Sequence, residues 1–308
     1  MSNTFGTRFR LTTFGESHGK AIGGVIDGCP AGITIDESLI ASEMHRRHIG
    51  DNATKRHEPD RVEILSGVYE GVSLGTPIAF VINNIDTQSK DYDTLSDCFR
   101  PGHADYTYEM RYGRRDPRGG GRASGRETAT RVVAGAIAKM VLKTKGITFC
   151  TEVVENSNPP ADDSCGGIIG CTINGVNAGV GDPVFDKLNA RLAAAMMSIP
   201  SAIGFEMGAG FAASRMTGSE FRDCWNEDFT TQTNHCGGIQ GGISNGMPIM
   251  FRVAFHPVTT VCQPTECIDH NGNLHTITPQ GRHDRNHIPR TAVVVEAMAA
   301  LTIVDFIV

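Results

Sequence analysis

Residues 67–80, GVYEGVSLGTPIAF, align without gaps to residues 238–251, GIQGGISNGMPIMF, and seven of the fourteen positions are identical. The shared residues are Gly67/Gly238, Gly71/Gly242, Ser73/Ser244, Gly75/Gly246, Pro77/Pro248, Ile78/Ile249 and Phe80/Phe251. A second echo, in the same order along the chain, pairs IDGCPAGI (26–33) with INGVNAGV (173–180). Chance matching of glycines is the competing explanation, and two echoes in one order count against it. Each member of the second echo leads into a helical pattern. One covers 37–47 with Asp36 as cap; the other covers 184–197 with Asp182 as cap and Pro183 at the first helical position. Each glycine-rich echo runs into an apolar strand that ends near Asn83 or Phe255, and each half closes with a long apolar helix, 127–145 or 291–307. Strand, helix, strands, helix, given twice, predicts an α+β fold. The expected form is a single-domain β-α-β sandwich over residues 1–308, with pseudo-repeats at about 1–145 and 165–308. A pseudo-twofold duplication then places four long helices between antiparallel sheets that cover their apolar faces. Residues 145–167, which hold NSNPPADDS, read as an exposed connection between the halves.

Composition bounds the class. With 308 residues, 40% hydrophobic and 20% charged, the chain is an ordinary globular protein able to bury a sizeable core. The N-terminal stretch lacks the apolar run of a signal peptide, and no run of about 18 apolar residues exists to span a membrane. Nine scattered cysteines form no CxxC pair, so reduced, buried thiols in a cytoplasmic protein are expected, with no metal site.

Residues 99–131, FRPGHADYTYEMRYGRRDPRGGGRASGRETATR, hold eight arginines against four acids in a chain whose formal net charge is −6. They also hold Gly119, Gly120 and Gly121, and Ser124 followed by Glu127 reads as a capping box at a helix start. A glycine run admits close backbone approach, a helix N-terminus favours anions, and arginine forks fit phosphate and carboxylate. The segment therefore reads as a site for a small polyanion. A solvated charged loop is the plainer alternative. Nucleic acid is a weaker one, because 6% aromatic residues and a net negative charge offer no broad basic footprint.

His18, in FGESHG, and His103, in RPGHAD, sit in glycine-rich turns beside polar neighbours, where imidazole can move a proton near neutral pH. Arg282, His283 and Asp284 form a third polar cluster. Ser17 lacks a G-x-S-x-G elbow, no P-loop pattern is present, and GGGRASG lacks the dinucleotide-binding spacing. The residues alone support an enzyme acting on a small phosphorylated or carboxylated metabolite and leave the reaction open.

The same segments resemble the chorismate synthase family. FGESHGKAIGGVIDGCPAGI (14–33) is similar to its first signature, FRPGHADYTYE with GGGRASGRETATR (99–131) to its central one, and GRHD (281–284) to its third. The resemblance implies loss of phosphate from 5-enolpyruvylshikimate 3-phosphate by anti-1,4-elimination to give chorismate, with reduced FMN (FMNH2) required although no net redox change occurs. It also implies a homotetramer. By motif, His18 protonates the departing phosphate, His103 governs flavin protonation, and Asp284 assists the flavin in taking up the ring proton. Ser17, Arg46, Arg47, Arg100, Ser124, Arg126 and Arg282 contact substrate. Arg122, Ala123, Ser124, Pro200, Ser201, Gly241, His256, Pro257, Val258, Thr259, Thr260 and Arg282 contact flavin. There are departures. After Arg47 the family continues with Pro-Gly and a further serine-arginine, whereas this chain reads HIGDNATKR and is shorter, leaving Lys55 or Arg56 as substitutes for a phosphate-binding arginine. His256 stands where lysine is usual, Arg285 and Asn286 replace Pro-Cys, and the segment before Gly166 is abbreviated. A member that binds flavin or anion but has lost catalysis is the alternative these departures leave open. No flavin reductase activity is visible.

Overall fold

The structure, a computed structural model, describes residues 3–48, 60–85, 97–160, 162–279 and 285–308. Its elements in chain order are β1 (Thr4–Phe5), β2 (Arg10–Phe14), β3 (Ala21–Asp27), α1 (Glu37–Arg46), β4 (Val62–Ile64), β5 (Val68–Tyr69), β6 (Val72–Ser73), β7 (Ile78–Asn83) and β8 (Cys98–Phe99). There follow α2 (Asp105–Tyr112), α3 (Thr128–Lys143), β9 (Thr148–Asn156), β10 (Gly167–Asn174), α4 (Leu188–Met197), β11 (Ala202–Met207) and α5 (Gly218–Phe221). The chain closes with β12 (Ile239–Gln240), β13 (Ile243–Ser244), β14 (Ile249–Phe255), β15 (Thr265–Asp269), β16 (Leu274–Ile277) and α6 (Ile288–Ile307). The class is α+β.

Two antiparallel sheets carry the bulk of the strands, one in the order β1-β2-β3-β7-β4 and one in the order β11-β14-β10-β9. The burial of β7 and β14 alternates along the strand, as expected where one face meets a core. Helix α3 packs on β2 and β3, α6 packs on β9 and β10, and the two helices run along each other. Their contact is close because Gly135 faces Ala297: a methyl group on Gly135 would lie 2.4 Å from the Ala297 Cβ. One contiguous cluster of buried apolar residues runs from Phe9 to Val304 and draws on both sheets and on α1, α3, α4 and α6. At the far end of α6, buried Asp305 accepts the backbone amides of Thr7, Arg8 and Phe9, which ties the start of the described chain to its last helix.

The repeated sequences make repeated bonds. Ser73 Oγ accepts from Ile33 N at 2.9 Å and donates to Pro30 O at 2.6 Å. Ser244 Oγ accepts from Val180 N at 2.9 Å and donates to Asn177 O at 2.6 Å. Each serine lies in the second strand of a two-stranded hairpin, β5-β6 or β12-β13, and each hairpin is followed by the longer strand expected, ending at Asn83 or Phe255.

Several boundaries differ from expectation. Helix α4 starts at Leu188, not at 184, and neither Asp182 nor Pro183 opens it; the Leu188 amide donates to Gly242 O of the β12-β13 turn, so the neighbouring hairpin supplies the cap. Helix α6 begins about one turn early, with Pro289 in its first turn. Residues 145–167 are only partly a connection, because β9 pairs along β10 there; its mostly exposed face gives it the polar look of a linker. Helix α2 lies in a stretch for which no helix is expected; Gly113 closes it in the left-handed conformation. No disulfide joins cysteines among the described residues, and Cys150, Cys224 and Cys262 are exposed, not buried. No helix among the described residues is long and apolar enough to cross a membrane.

Candidate active site

A cavity of about 1300 Å³ opens where four helix ends meet: Arg47 at the end of α1, Thr128 and Arg131 at the start of α3, Ser198 after α4, and Arg290 and Thr291 at the start of α6. The N-termini of α3 and α6 bring the positive ends of their dipoles to the cavity. The arginine-rich segment forms one wall, and residues 256 and 258–260 with Pro200 and Ser201 form another.

The glycine run decides how closely the wall approaches its neighbours. Gly119 has φ +71°, and a Cβ there would sit 2.9 Å from His18 Cδ2 and 3.0 Å from Nε2. Ser17 N donates to Gly121 O at 3.3 Å. The Ser17-His18 turn is thus seated directly behind residues 119–121, which line the cavity. Asp116, held below the usual carboxylate range chiefly by Arg118, also feels His18.

Most arginines here are already held by the protein. Arg100 is buried, forks onto Asp105 through Nε at 2.7 Å and Nη2 at 2.8 Å, and donates to Gly119 O at 3.0 Å, so it braces the glycine wall. Arg115 reaches Glu109 at 3.2 Å, and Arg131 reaches Glu127 at 2.9 Å. Arg122 donates to Thr13 Oγ1 at 2.7 Å and Gly15 O at 3.3 Å. Arg114 is exposed at the cavity lining. Ser124 caps the short turn before α3 by accepting from Arg126 N at 3.3 Å. The expected capping box does not form: Ser124 Oγ takes the amide of Arg126 in place of that of Glu127, and the Glu127 carboxylate is taken by Thr13 at 3.1 Å and by Arg131.

Arg47 and Arg126 share one buried carboxylate. Arg47 Nη1 lies 3.0 Å from Asp60 Oδ2, Arg126 Nη1 bonds Asp60 Oδ1, and His48 Nε2 lies 3.2 Å from Oδ2. Burial pushes the Arg47 guanidinium down to about 10, against the attraction of Asp60 and with repulsion from Arg126 and Arg290. Burial works to raise Asp60, but Arg47 and Arg126 outweigh it and hold the carboxyl below its ordinary value.

On the opposite wall His103 Nε2 bonds Thr260 Oγ1, and Thr259 Oγ1 donates to Gly102 O at 3.3 Å. Ser201, in the left-handed region at φ 68°, donates to Pro200 O at 2.5 Å, which leaves its oxygen to accept from His287 Nε2 at 2.9 Å. His287 is buried, its Nδ1 has no partner among the described residues, and burial, with Arg290 and His256 nearby, lowers it to about 4.

Of the expected site residues, Arg47, Arg100, His103, Arg122, Ala123, Ser124, Pro200, Ser201, His256, Val258, Thr259 and Thr260 line this one cavity. Ser17, His18 and Arg126 stand immediately behind its lining. Pro257 and Gly241 are not on its walls, and Gly241 sits in the β12-β13 turn. Arg46 departs from expectation. It turns away from the cavity into a cluster with Glu296 at 2.7 Å and Glu43 at 3.0 Å, because those carboxylates from α6 and α1 leave it no free fork. Arg282 and Asp284 lie outside the described residues. Asp60, Asp105 and His287 carry no motif signal in the sequence; Asp60 and His287 meet partners far along the chain, and Asp105 meets the nearby Arg100 and Arg115.

The model of the chorismate synthase family matches residues 9–159 and 156–308. Chorismate synthase of Christiangramia forsetii is 47% identical over 342 aligned positions, covering 99% of this chain and 97% of its own. That of Cytophaga hutchinsonii is 47% identical over 355, with the same coverage of 99% and 97%. A crystal structure of a chorismate synthase superimposes with a TM-score of 0.75 at 29% identity, covering 98% of this chain and 92% of that one. The sequence alignments run over more positions than the chain's 308, so these relatives carry residues that it lacks.

Proposed function

The chain belongs to the chorismate synthase family, a lyase that forms chorismate, and from that premise we infer that the arginine-lined cavity binds 5-enolpyruvylshikimate 3-phosphate beside reduced FMN. The observation that carries this reading is the glycine wall of the 1300 Å³ cavity, with His18 pressed against its back and arginines on both sides.

The residues present fit a flavin. The cavity is of sufficient volume for two small ligands, and it is lined by Ala123, Ser124, Pro200, Ser201 and Val258 to Thr260, which offer apolar groups together with hydroxyls. His287, on the same lining, has a buried nitrogen without a partner among the described residues. Bound there, reduced FMN supplies transient electron density to the breaking C–O bond. Arg47 and Arg126 hold the substrate's anionic groups and offset charge growing on the leaving phosphate. By motif His18, which stands behind this lining, gives that phosphate a proton. His103, oriented by Thr260, holds a proton at the flavin's edge. Phosphate and one ring proton leave, a ring double bond forms, and no net electron is exchanged. Arg282 and Asp284 retain the roles proposed by motif.

We also propose the pseudo-twofold duplication, with residues 1–308 as one sandwich domain; the matched Ser73 and Ser244 bonds support it. A cytoplasmic homotetramer is the proposed assembly, and exposed Phe185, Phe211, Trp225 and Phe229 are surfaces it can cover. The test is anaerobic incubation of purified protein with photoreduced FMN and substrate. Stoichiometric phosphate and chorismate are expected; flavin binding without turnover at any enzyme concentration would identify instead a member that has lost catalysis.

A further inference from the structure

We infer that Asp60 is a positioning residue for substrate binding: its one carboxylate sets Arg47 and Arg126 against each other and thereby shapes the anion site. This rests on the reading that those two arginines meet the substrate. Asp60 is 4% exposed. It follows directly on residues 49–59, outside the described structure, and its backbone is left-handed at φ 45°, which an aspartate tolerates better than most residues. Its oxygens are divided, Oδ1 to Arg126 and Oδ2 to Arg47 and His48. Arg47 comes from the end of α1 and Arg126 from the turn before α3; Arg47 also donates to Gly125 O at 3.4 Å and Thr128 Oγ1 at 3.3 Å, and Arg126 to Asn84 Oδ1 at 3.0 Å, while the Asp60 carboxylate is bonded by both guanidinium groups. Two adjacent buried guanidinium groups repel, and a shared carboxylate is what lets both stay while leaving positive charge in excess for an anion.

The sign of the effect separates positioning from charge alone. If Asp60 acted only by its charge, removing it would strengthen the field on a polyanionic substrate and lower KM. Positioning predicts the reverse. Asp60→Asn should raise the KM for 5-enolpyruvylshikimate 3-phosphate about tenfold or more, the scale of a lost charge-assisted bond, with a smaller change in kcat. Arg47→Gln, measured beside it, should raise KM as well. An Asp60→Asn enzyme with unchanged or lowered KM, while Arg47→Gln raises it, overturns the inference and leaves the site intact. An unchanged KM in Arg47→Gln overturns the reading of the site itself, and this inference with it. Should Asp60→Asn fail to fold, Asp60→Glu keeps the charge and displaces it; a several-fold rise in KM at unchanged Tm supports positioning, and an unchanged KM at unchanged Tm contradicts it.

Discussion

Arg46 and Arg47 are neighbours in sequence and belong to two different clusters. Arg46 joins Glu43, Glu296 and Lys139 in the helical layer, where two carboxylates meet two cations and Thr151 donates a further bond to Glu296 at 3.1 Å. Arg47 joins Arg126 and His48 around the single carboxylate of Asp60, beside the cavity. The first cluster is balanced and closed. The second carries surplus positive charge at the edge of a large opening. An arginine-rich sequence therefore marks a ligand site only where the internal acids run short, and the tally has to be made in space.

Substitutions can break or sharpen that contrast. The largest effect is expected on the open side: His18→Ala should cut turnover by about 10²–10⁴-fold in anaerobic single-turnover assays, with little change in Tm. On the closed side, Glu296→Gln leaves Arg46 and Lys139 sharing Glu43 alone and should cost about 3–5 kcal/mol in urea unfolding, with KM near wild type. A reversed pattern, stability lost with His18 and KM altered with Glu296, would erase the distinction. Next is pH. The folded His287 value of about 4 lies below the ordinary 6.5, so the unfolded chain takes up the proton first as pH falls. That contribution to stability is complete above about pH 6.5 and fades toward pH 4, by roughly 3 kcal/mol in all. A pH series of unfolding curves should be flatter for His287→Gln. Arg47→Gln should lower kcat/KM about tenfold or more, and Arg46→Gln should leave it nearly unchanged. The smallest is Ser124→Ala, about 1 kcal/mol from a lost cap, together with weaker ligand binding; unchanged Tm and affinity would contradict the placement of that turn.

What could be read from the chain depended on where the cause lay. The hairpin echoes were legible because their glycines and serines answer to local turn geometry, and Ser73 and Ser244 make the same two bonds. The cap at Asp36 was legible for the same reason and accepts from Leu39 N at 3.1 Å. The start of α4 was not, because its cap is the distant Gly242 carbonyl. Strand β9 reads as a linker since its side chains mostly face solvent while its backbone is satisfied by β10. In the site, glycines and histidines announced themselves through their turns. The opposite directions of Arg46 and Arg47 could not be read from two adjacent letters. Asp60 is a lone aspartate until Arg47 and His48 from the end of α1 and Arg126 from before α3 close on it.

The central claim is tested most directly by a crystal structure of the protein with oxidised FMN and 5-enolpyruvylshikimate 3-phosphate. Ligand density should fill the cavity in front of residues 119–121, with the phosphate within hydrogen-bonding reach of His18 and an anionic group on Arg47. Density for both ligands elsewhere, with this cavity holding only water, would contradict the account.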